Sequence, residues 1–332
     1  MRCIAFALLI AGCYSPSVGD CEYACGANNA CPSGLECHAN ACRVAGALDT
    51  CDAIRDGGGG DDGGGSGSGT PDAPDAVPPR KMFGNASQLM GLTGYTEPSL
   101  TDDEQNLYAV SNGQIVHLVN DGTNQGFGSP SFPPHVNGGA GTVNATPSIN
   151  HDGTVLYFTY RATPVGSTLD VYHCSRTSTS NDFDSPIIDP LLATPADERP
   201  GTVNMTANRM ILTLGTGNAS DLYESKFEAV APMWSMPTRL DGLSSAKEDS
   251  HPSLSGDGKT VVFASNRGGD NLDLYIARRP ALDMPFEQPE AIGELNTVAE
   301  DGNPWLSPDG TVIYFTRGLG ANTTLYRAET SH

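Results

Sequence analysis

From about residue 82 to the C-terminus, short alternating runs of β-branched and aromatic residues are broken by polar turns, and the pattern returns about every 50 residues. Pro98, Pro147, Pro200, Pro252 and Pro304 mark the period, with spacings of 49, 53, 52 and 52 residues. Around them stand EPSLTDDEQNLYAVS, TPSINHDGTVLYFTY, RPGTVNMTANRMILTL, HPSLSGDGKTVVFAS and NPWLSPDGTVIYFTR. Each reads as a short strand, a turn and a second strand. Asp152-Gly153, Asp257-Gly258 and Asp309-Gly310 occupy the turn slot, and Asp-Gly is a strong hairpin signal.

A third strand recurs as 114–119, 169–176, 220–227, 272–279 and 323–329. An aromatic residue then precedes the next proline (Phe127, Phe183, Trp234, Phe286) and is expected to begin an outer fourth strand. Four strands in about 50 residues make the blade of a β-propeller. The last repeat runs out before its own outer strand, and the missing piece stands at the front, in MFGNASQLMGLTGYTEP, where Phe83 precedes Pro98. The pattern therefore predicts an all-β, five-bladed propeller over 81–332, closed by an N-terminal outer strand that leaves no free sheet edge.

HPSLSGDGKTVVFASNRGGDNLDLYIARR and GNPWLSPDGTVIYFTRGLGANTTLYRAE resemble the repeats of TolB-type, WD40-like propeller proteins. The resemblance spans 82 to 329. The second repeat carries an insertion at 162–168, and Asp102-Asp103-Glu104-Gln105 and Thr206-Ala207-Asn208-Arg209 replace the Asp-Gly turn in the first and third. It implies the fold and, by analogy of fold alone, protein–protein contacts in a cell envelope.

Composition separates the front of the chain from the repeats. Eight of nine cysteines lie in the first 51 residues, and only Cys174, on a predicted third strand, lies beyond. Arg2 and the apolar run Ile4 to Gly12 have the form of a secretory signal, too short to remain as a membrane span. Ile10-Ala11-Gly12-Cys13 resembles the lipobox of bacterial lipoproteins, which implies a signal over 1–12, a lipid anchor on Cys13 and, with Tyr14 rather than Asp next, the outer membrane. Residues 13–52 then hold Cys21, Cys25, Cys31, Cys37, Cys42 and Cys51, an exported disulfide module too small to fold on its core alone. Three bridges allow fifteen connectivities. CEYACGANNACPSGLECHANACR resembles the cysteine-rich segment of dickkopf-type proteins. Residues 53–80 are almost wholly Gly, Asp, Ser, Ala and Pro, the composition of a disordered tether.

Charge and motifs narrow the chemistry. With 39 acidic against 18 basic residues the net charge is -21, which argues against nucleic acid, whose affinity comes from Lys and Arg. Gly258-Lys259-Thr260 ends like a nucleotide loop, but Ser253 stands where the first glycine belongs and a strand follows instead of a helix. No G-x-S-x-G or H-E-x-x-H occurs. The segments before the repeat prolines approach the central channel and are the candidate site. Asp197, Asp249 and Asp301 each stand three residues before the proline, and Glu198, His251 and Asn303 lie beside them. Three readings follow: turn-capping acids, a cation or polar-ligand site, and paired carboxylates of a glycosidase. Arg267, Arg317, Tyr160, Asp221 and Asp273 read as inter-strand hydrogen-bond partners.

The expectation is an exported, outer-membrane-anchored, monomeric lipoprotein whose propeller binds an envelope protein or glycan. A glycan-active hydrolase using channel-mouth carboxylates is the alternative. No cofactor is expected beyond a calcium-stabilised variant of the same module, no nucleotide and no nucleic acid; the metal question stays open.

Overall fold

A computed structural model describes residues 80–331, apart from 123–125, 139–141, 162–167, 207 and 229–232, together with residue 77 and three short N-terminal strands. The chain divides into two compact units, Met1–Thr70 and Pro71–His332. In the first, β1 (Tyr23–Ala24), β2 (Leu35–His38) and β3 (Ala41–Val44) form one antiparallel sheet in the order β1-β3-β2, with Cys37 opposite Cys42. The signal, Cys13, the tether and the other four cysteines of the expected disulfide set lie outside the described residues, as do the side chains of Cys37 and Cys42.

The second unit is a five-bladed β-propeller. Strand β4 (Ser87–Thr93) comes first in the chain but belongs to the last blade. Blade 1 is β5 (Tyr95–Leu100), β6 (Asn106–Ser111) and β7 (Gln114–Val119), with an outer segment that makes single bridges to β7 and Asn120. Blade 2 is β8 (Val143–Ile149), β9 (Val155–Arg161), β10 (Asp170–Ser175) and β11 (Ile187–Ile188). Blade 3 is β12 (Glu198–Val203), β13 (Arg209–Leu214), β14 (Asp221–Glu228), β15 (Met233–Trp234) and β16 (Thr238–Arg239). Blade 4 is β17 (Asp249–Leu254), β18 (Thr260–Ser265), β19 (Asp273–Arg278) and β20 (Glu290–Ala291). Blade 5 is β21 (Asp301–Leu306), β22 (Val312–Arg317) and β23 (Thr324–Glu329), completed by β4 along Arg327↔Ser87 and Thr324↔Thr93.

The middle strands are buried on both faces because each blade lies between two others. Val261 and Phe263 join one apolar cluster with Ile211 of blade 3, while Val262 joins another with Phe315 of blade 5. Five such clusters occupy the five seams of the ring, and the one that holds Leu89, Leu107 and Tyr314 closes blade 5 onto blade 1. Cys174 lies in the seam of blades 1 and 2, and burial pushes its thiol up to about 12. The Gly-Lys-Thr segment is the hairpin of blade 4: Gly258 has φ 70° and Asp257 Oδ1 accepts the Lys259 N–H at 2.9 Å.

The aromatic before each outer strand already pairs in blades 1, 3 and 5, at Asn120↔Phe127, Phe227↔Trp234 and Phe83↔Thr330, as expected, but not in blades 2 and 4. A further outer pairing falls four residues later in every blade, at Ser131, Ile187, Thr238, Glu290 and Ser87. The aromatic is also a seam residue: Phe83, Phe183, Trp234 and Phe286 are buried. In blades 2 and 4 it carries an arginine, with Arg176 over Phe183 and Arg279 over Phe286, each 4.3 Å from the ring centre. Both arginines also donate Nε to the turn glycine carbonyl, Gly153 or Gly258, at 2.8 Å.

Candidate functional site

The inner strands face the channel, and each contains a bulge. In β5, Thr96 pairs with Val110 and Ser99 with Tyr108, so Glu97 and Pro98 together oppose Ala109. The same slip occurs at Thr146-Pro147, His251-Pro252 and Asn303-Pro304. A bulge on an inner edge tolerates proline because its missing N–H has no ladder partner there. The residue before the proline is left-handed, with φ of 56° at Glu97, 44° at Thr146, 53° at His251 and 47° at Asn303. Non-glycine residues hold that conformation at a cost of about 1–2 kcal/mol each. The bulge turns these four side chains, from blades 1, 2, 4 and 5, onto one axis.

Blade 3 is built one residue out of step. Its slip falls between Pro200 and Val203, and Thr202 takes the place of the serine that follows the bulge proline in blades 1, 2 and 4. The hydroxyls reveal this register. Ser99 accepts the Ile149 N–H at 2.9 Å, Thr202 the Leu254 N–H at 2.6 Å and Ser253 the Leu306 N–H at 2.9 Å, each tying one inner strand to the next blade. Pro200 therefore occupies the slot that Glu97, Thr146, His251 and Asn303 fill, and Gly201 occupies the proline slot.

Glu97 and His251 meet across the ring, with Glu97 Oε1 3.7 Å from His251 Nε2, while Glu97 Oε2 accepts the Thr146 N–H at 2.7 Å. Burial works to raise the Glu97 carboxyl, but the hydrogen bond and charge of His251, the Thr146 amide and Arg199 outweigh it and hold the group below its ordinary range. His251 Nδ1 lies 3.0 Å from Ser250 Oγ, and Asn303 donates Nδ2–H to Thr316 Oγ1 at 2.9 Å. These side chains and the five prolines enclose a cavity of about 30 Å³. That holds a water or one small polar group, well short of the ~300–1,000 Å³ of ordinary ligand pockets.

Of the acids singled out in the sequence, none joins Glu97 on the axis. Asp249 and Asp301 are fully buried at the first residue of their inner strands. Arg267 pairs with Asp249, and Arg317 Nε donates to Asp301 Oδ1 at 2.6 Å. Ser245 N–H and Thr297 N–H cap the second oxygens at 2.6 and 2.7 Å. Glu198, not Asp197, is their counterpart, capped by the Thr194 N–H four residues earlier at 3.0 Å. Asp197 instead accepts the Leu169 N–H of blade 2 at 3.0 Å, as Glu300 accepts the Leu272 N–H of blade 4 at 2.7 Å. His251 and Asn303 reach the axis; Asp197, Glu198, Asp249 and Asp301 do not. Glu97 and Thr146 belong to the site, and their signal was the position directly before the proline. Among the described residues no three His, Cys, Asp or Glu side chains are arranged to hold a metal ion.

A sugar-sized space lies elsewhere, a cavity of about 760 Å³ between β4, blade 5 and blade 1. Arg327 Nε donates to Glu104 Oε2 at 2.8 Å and Tyr314 Oη donates to the same oxygen at 2.5 Å, so this wall is already internally paired.

No family model matches the chain, and no curated protein matches it. Solved structures do. An α-L-arabinofuranosidase from Lactobacillus brevis aligns at TM-score 0.51 and 12% identity over 72% of this chain and 91% of its own. The arabinanase Arb43A of Bacillus subtilis aligns at 0.50 and 14% over 74% and 96%. A protein assigned as TolB from Agrobacterium tumefaciens aligns at 0.47 and 17% over 72% and 80%. At such identities the likeness to the two arabinan-active enzymes is one of fold.

Proposed function

We propose that this chain is an exported, lipid-anchored envelope protein whose propeller is a non-catalytic binding module for a protein partner. The axial ring carries the reading. Four side chains are held in left-handed backbone so that Glu97, Thr146, His251 and Asn303 converge on a cavity of about 30 Å³. A site of that size accepts the tip of a partner's side chain at the channel, while the loops around the mouth supply the area that a protein contact needs. Hydrolysis of a glycosidic bond needs two free carboxylates flanking the bond, about 5–10 Å apart. Asp249 and Asp301 are held by arginines inside their blades and Glu97 by Thr146 and His251, so no observation favours the hydrolase. The signal-like N-terminus and Cys13 support the anchor.

The test is capture from envelope extract by the full-length protein, beside a glycan array. A reproducible protein partner lost on Glu97→Gln or His251→Ala, and kept on Asp103→Asn, supports the reading. A partner indifferent to the axial variants, or a glycan ligand alone, sinks it. Cys13→Ser should release the protein from the membrane fraction.

A further inference from the structure

The same acid slot opens the inner strand in three blades, and only two of them neutralise it. In blades 4 and 5 a guanidinium lies between the buried carboxylate and a loop carbonyl: Arg267 bridges Asp249 and Leu243 O, and Arg317 bridges Asp301 and Leu295 O. Blade 3 keeps the carboxyl and its Thr194 cap but has no arginine for it. Leu214 stands across from Glu198 where Arg317 stands across from Asp301. Thr216 occupies the place corresponding to Arg267. Glu198 is nevertheless fully buried, and its Oε2 has no hydrogen-bond partner among the described residues.

The charged groups around it aggravate the imbalance. Asp197 stands directly before it, just ahead of β12, and Asp170 at the start of β10 faces it from blade 2; both carry the same sign. Arg199 is turned away, with its Nη1 donating to the Gly215 carbonyl at 2.8 Å. A buried carboxylate with no counter-charge is expensive, and the group neutralises itself by holding a proton.

We propose that Glu198 is a proton-binding site that makes the seam between blades 2 and 3 pH-sensitive: the folded protein holds the acid neutral, and ionisation loosens that seam. The strand at stake carries both blades' contact. Glu198 N–H donates to Leu169 O of blade 2 at 2.8 Å, Thr159 Oγ1 of blade 2 donates to Glu198 O at 3.0 Å, and Pro200 of the axial ring follows two residues on. Burial raises the carboxyl most. The Thr194 hydroxyl and amide oppose it, Asp170 and Asp197 add to it, and the group rises from 4.5 to about 7. The folded chain then binds the proton more tightly than the unfolded chain. Stability is fully present below about pH 4.5, falls as pH rises to about 7, and stays lowered above. A shift of that size lowers the folding equilibrium constant by about 300-fold across the window.

The experiment is equilibrium unfolding of the full chain from pH 4.5 to 8.5, for the wild type, Glu198→Gln and Leu214→Arg. Other acids titrate in both directions, so the readout is the ratio of variant to wild-type folding constants. The ratio for Glu198→Gln should climb by about two orders of magnitude between pH 4.5 and 8. Leu214→Arg, which copies the Arg317 position of blade 5, should help at pH 8 and not at pH 4.5. Ratios flat with pH overturn the proposal. If either variant fails to fold, the other decides, and proton release on unfolding wild type at pH 6 gives a second measure: about one proton from this group supports the site, and none rejects it.

Discussion

Blades 4 and 5 and blade 3 are copies of one unit that have treated the same buried charge in opposite ways. In the first two, Asp249 and Asp301 are fixed from one side by a backbone amide and from the other by an arginine. In blade 3 the cap survives at Thr194 and the arginine does not. Repeats conserve here what the neighbouring blade touches. The hydroxyl staples recur at Ser99, Thr202 and Ser253 in blades 1, 3 and 4, and the seam aromatics recur around the ring, because a change would be felt across a seam. The acid clamp is made within one blade, so its loss in blade 3 leaves the staples in place and shows instead as an uncompensated acid at the start of β12.

The sharpest way to break this contrast is to make blade 5 resemble blade 3. Arg317→Ala leaves Asp301 buried without its partner and should cost about 3–5 kcal/mol in chemical denaturation. Gly201→Ala tests the shifted register. A Cβ there would stand 2.3 Å from the carbonyl oxygens of both Ile211 and Pro252, so a loss of about 3 kcal/mol is expected at a slot where four other blades accept proline. Glu198→Gln should do the reverse of Arg317→Ala and stabilise the protein by about 2.7 kcal/mol at pH 8, with no gain at pH 4.5, read as the midpoint of unfolding. Tyr314→Phe, which removes the hydroxyl on Glu104, should lose about 1.5 kcal/mol. Glu97→Gln should move stability by less than about 1 kcal/mol while abolishing partner capture; an equally small effect on capture would detach the axial ring from function.

The contrast also explains how far the sequence could be read. Turn residues and alternating runs placed the hairpins and third strands to within a residue or so, because Asp-Gly turns and two-sided burial leave direct marks. β4 was legible from the missing outer strand. Pro200 hides the shift because it stands just before the slip, in a slot where Thr146 and His251 give their N–H to a side chain rather than to the ladder; the hydroxyl of Thr202 is the better ruler. The acids before the prolines lie off the axis for a related reason. An acid three residues before proline projects into the blade, and the bulge is what turns the residue directly before the proline onto the axis. Strand periodicity alone does not contain a bulge. The partner that clamps each acid, Arg267 or Arg317, stands at a different spacing in each blade, which hides their shared role.

Ring closure by β4 has a mechanical consequence. The first strand of the propeller is also the last strand of its final blade, so the ends of the domain lie side by side: Phe83 bridges Thr330, and Ser331 N–H donates to Met82 O at 2.9 Å. Tension entering through the preceding chain would load the short β4–β23 ladder before any other blade, with Arg80 and the Phe83 amide both latched to Glu294 as the first restraint. A propeller pulled through that chain would thus open as a clasp, at one place in the ring. The same adjacency means that its ends could be joined by a few residues and the chain cut instead at another exposed loop, giving a circular permutant with the same five blades and a different weakest point.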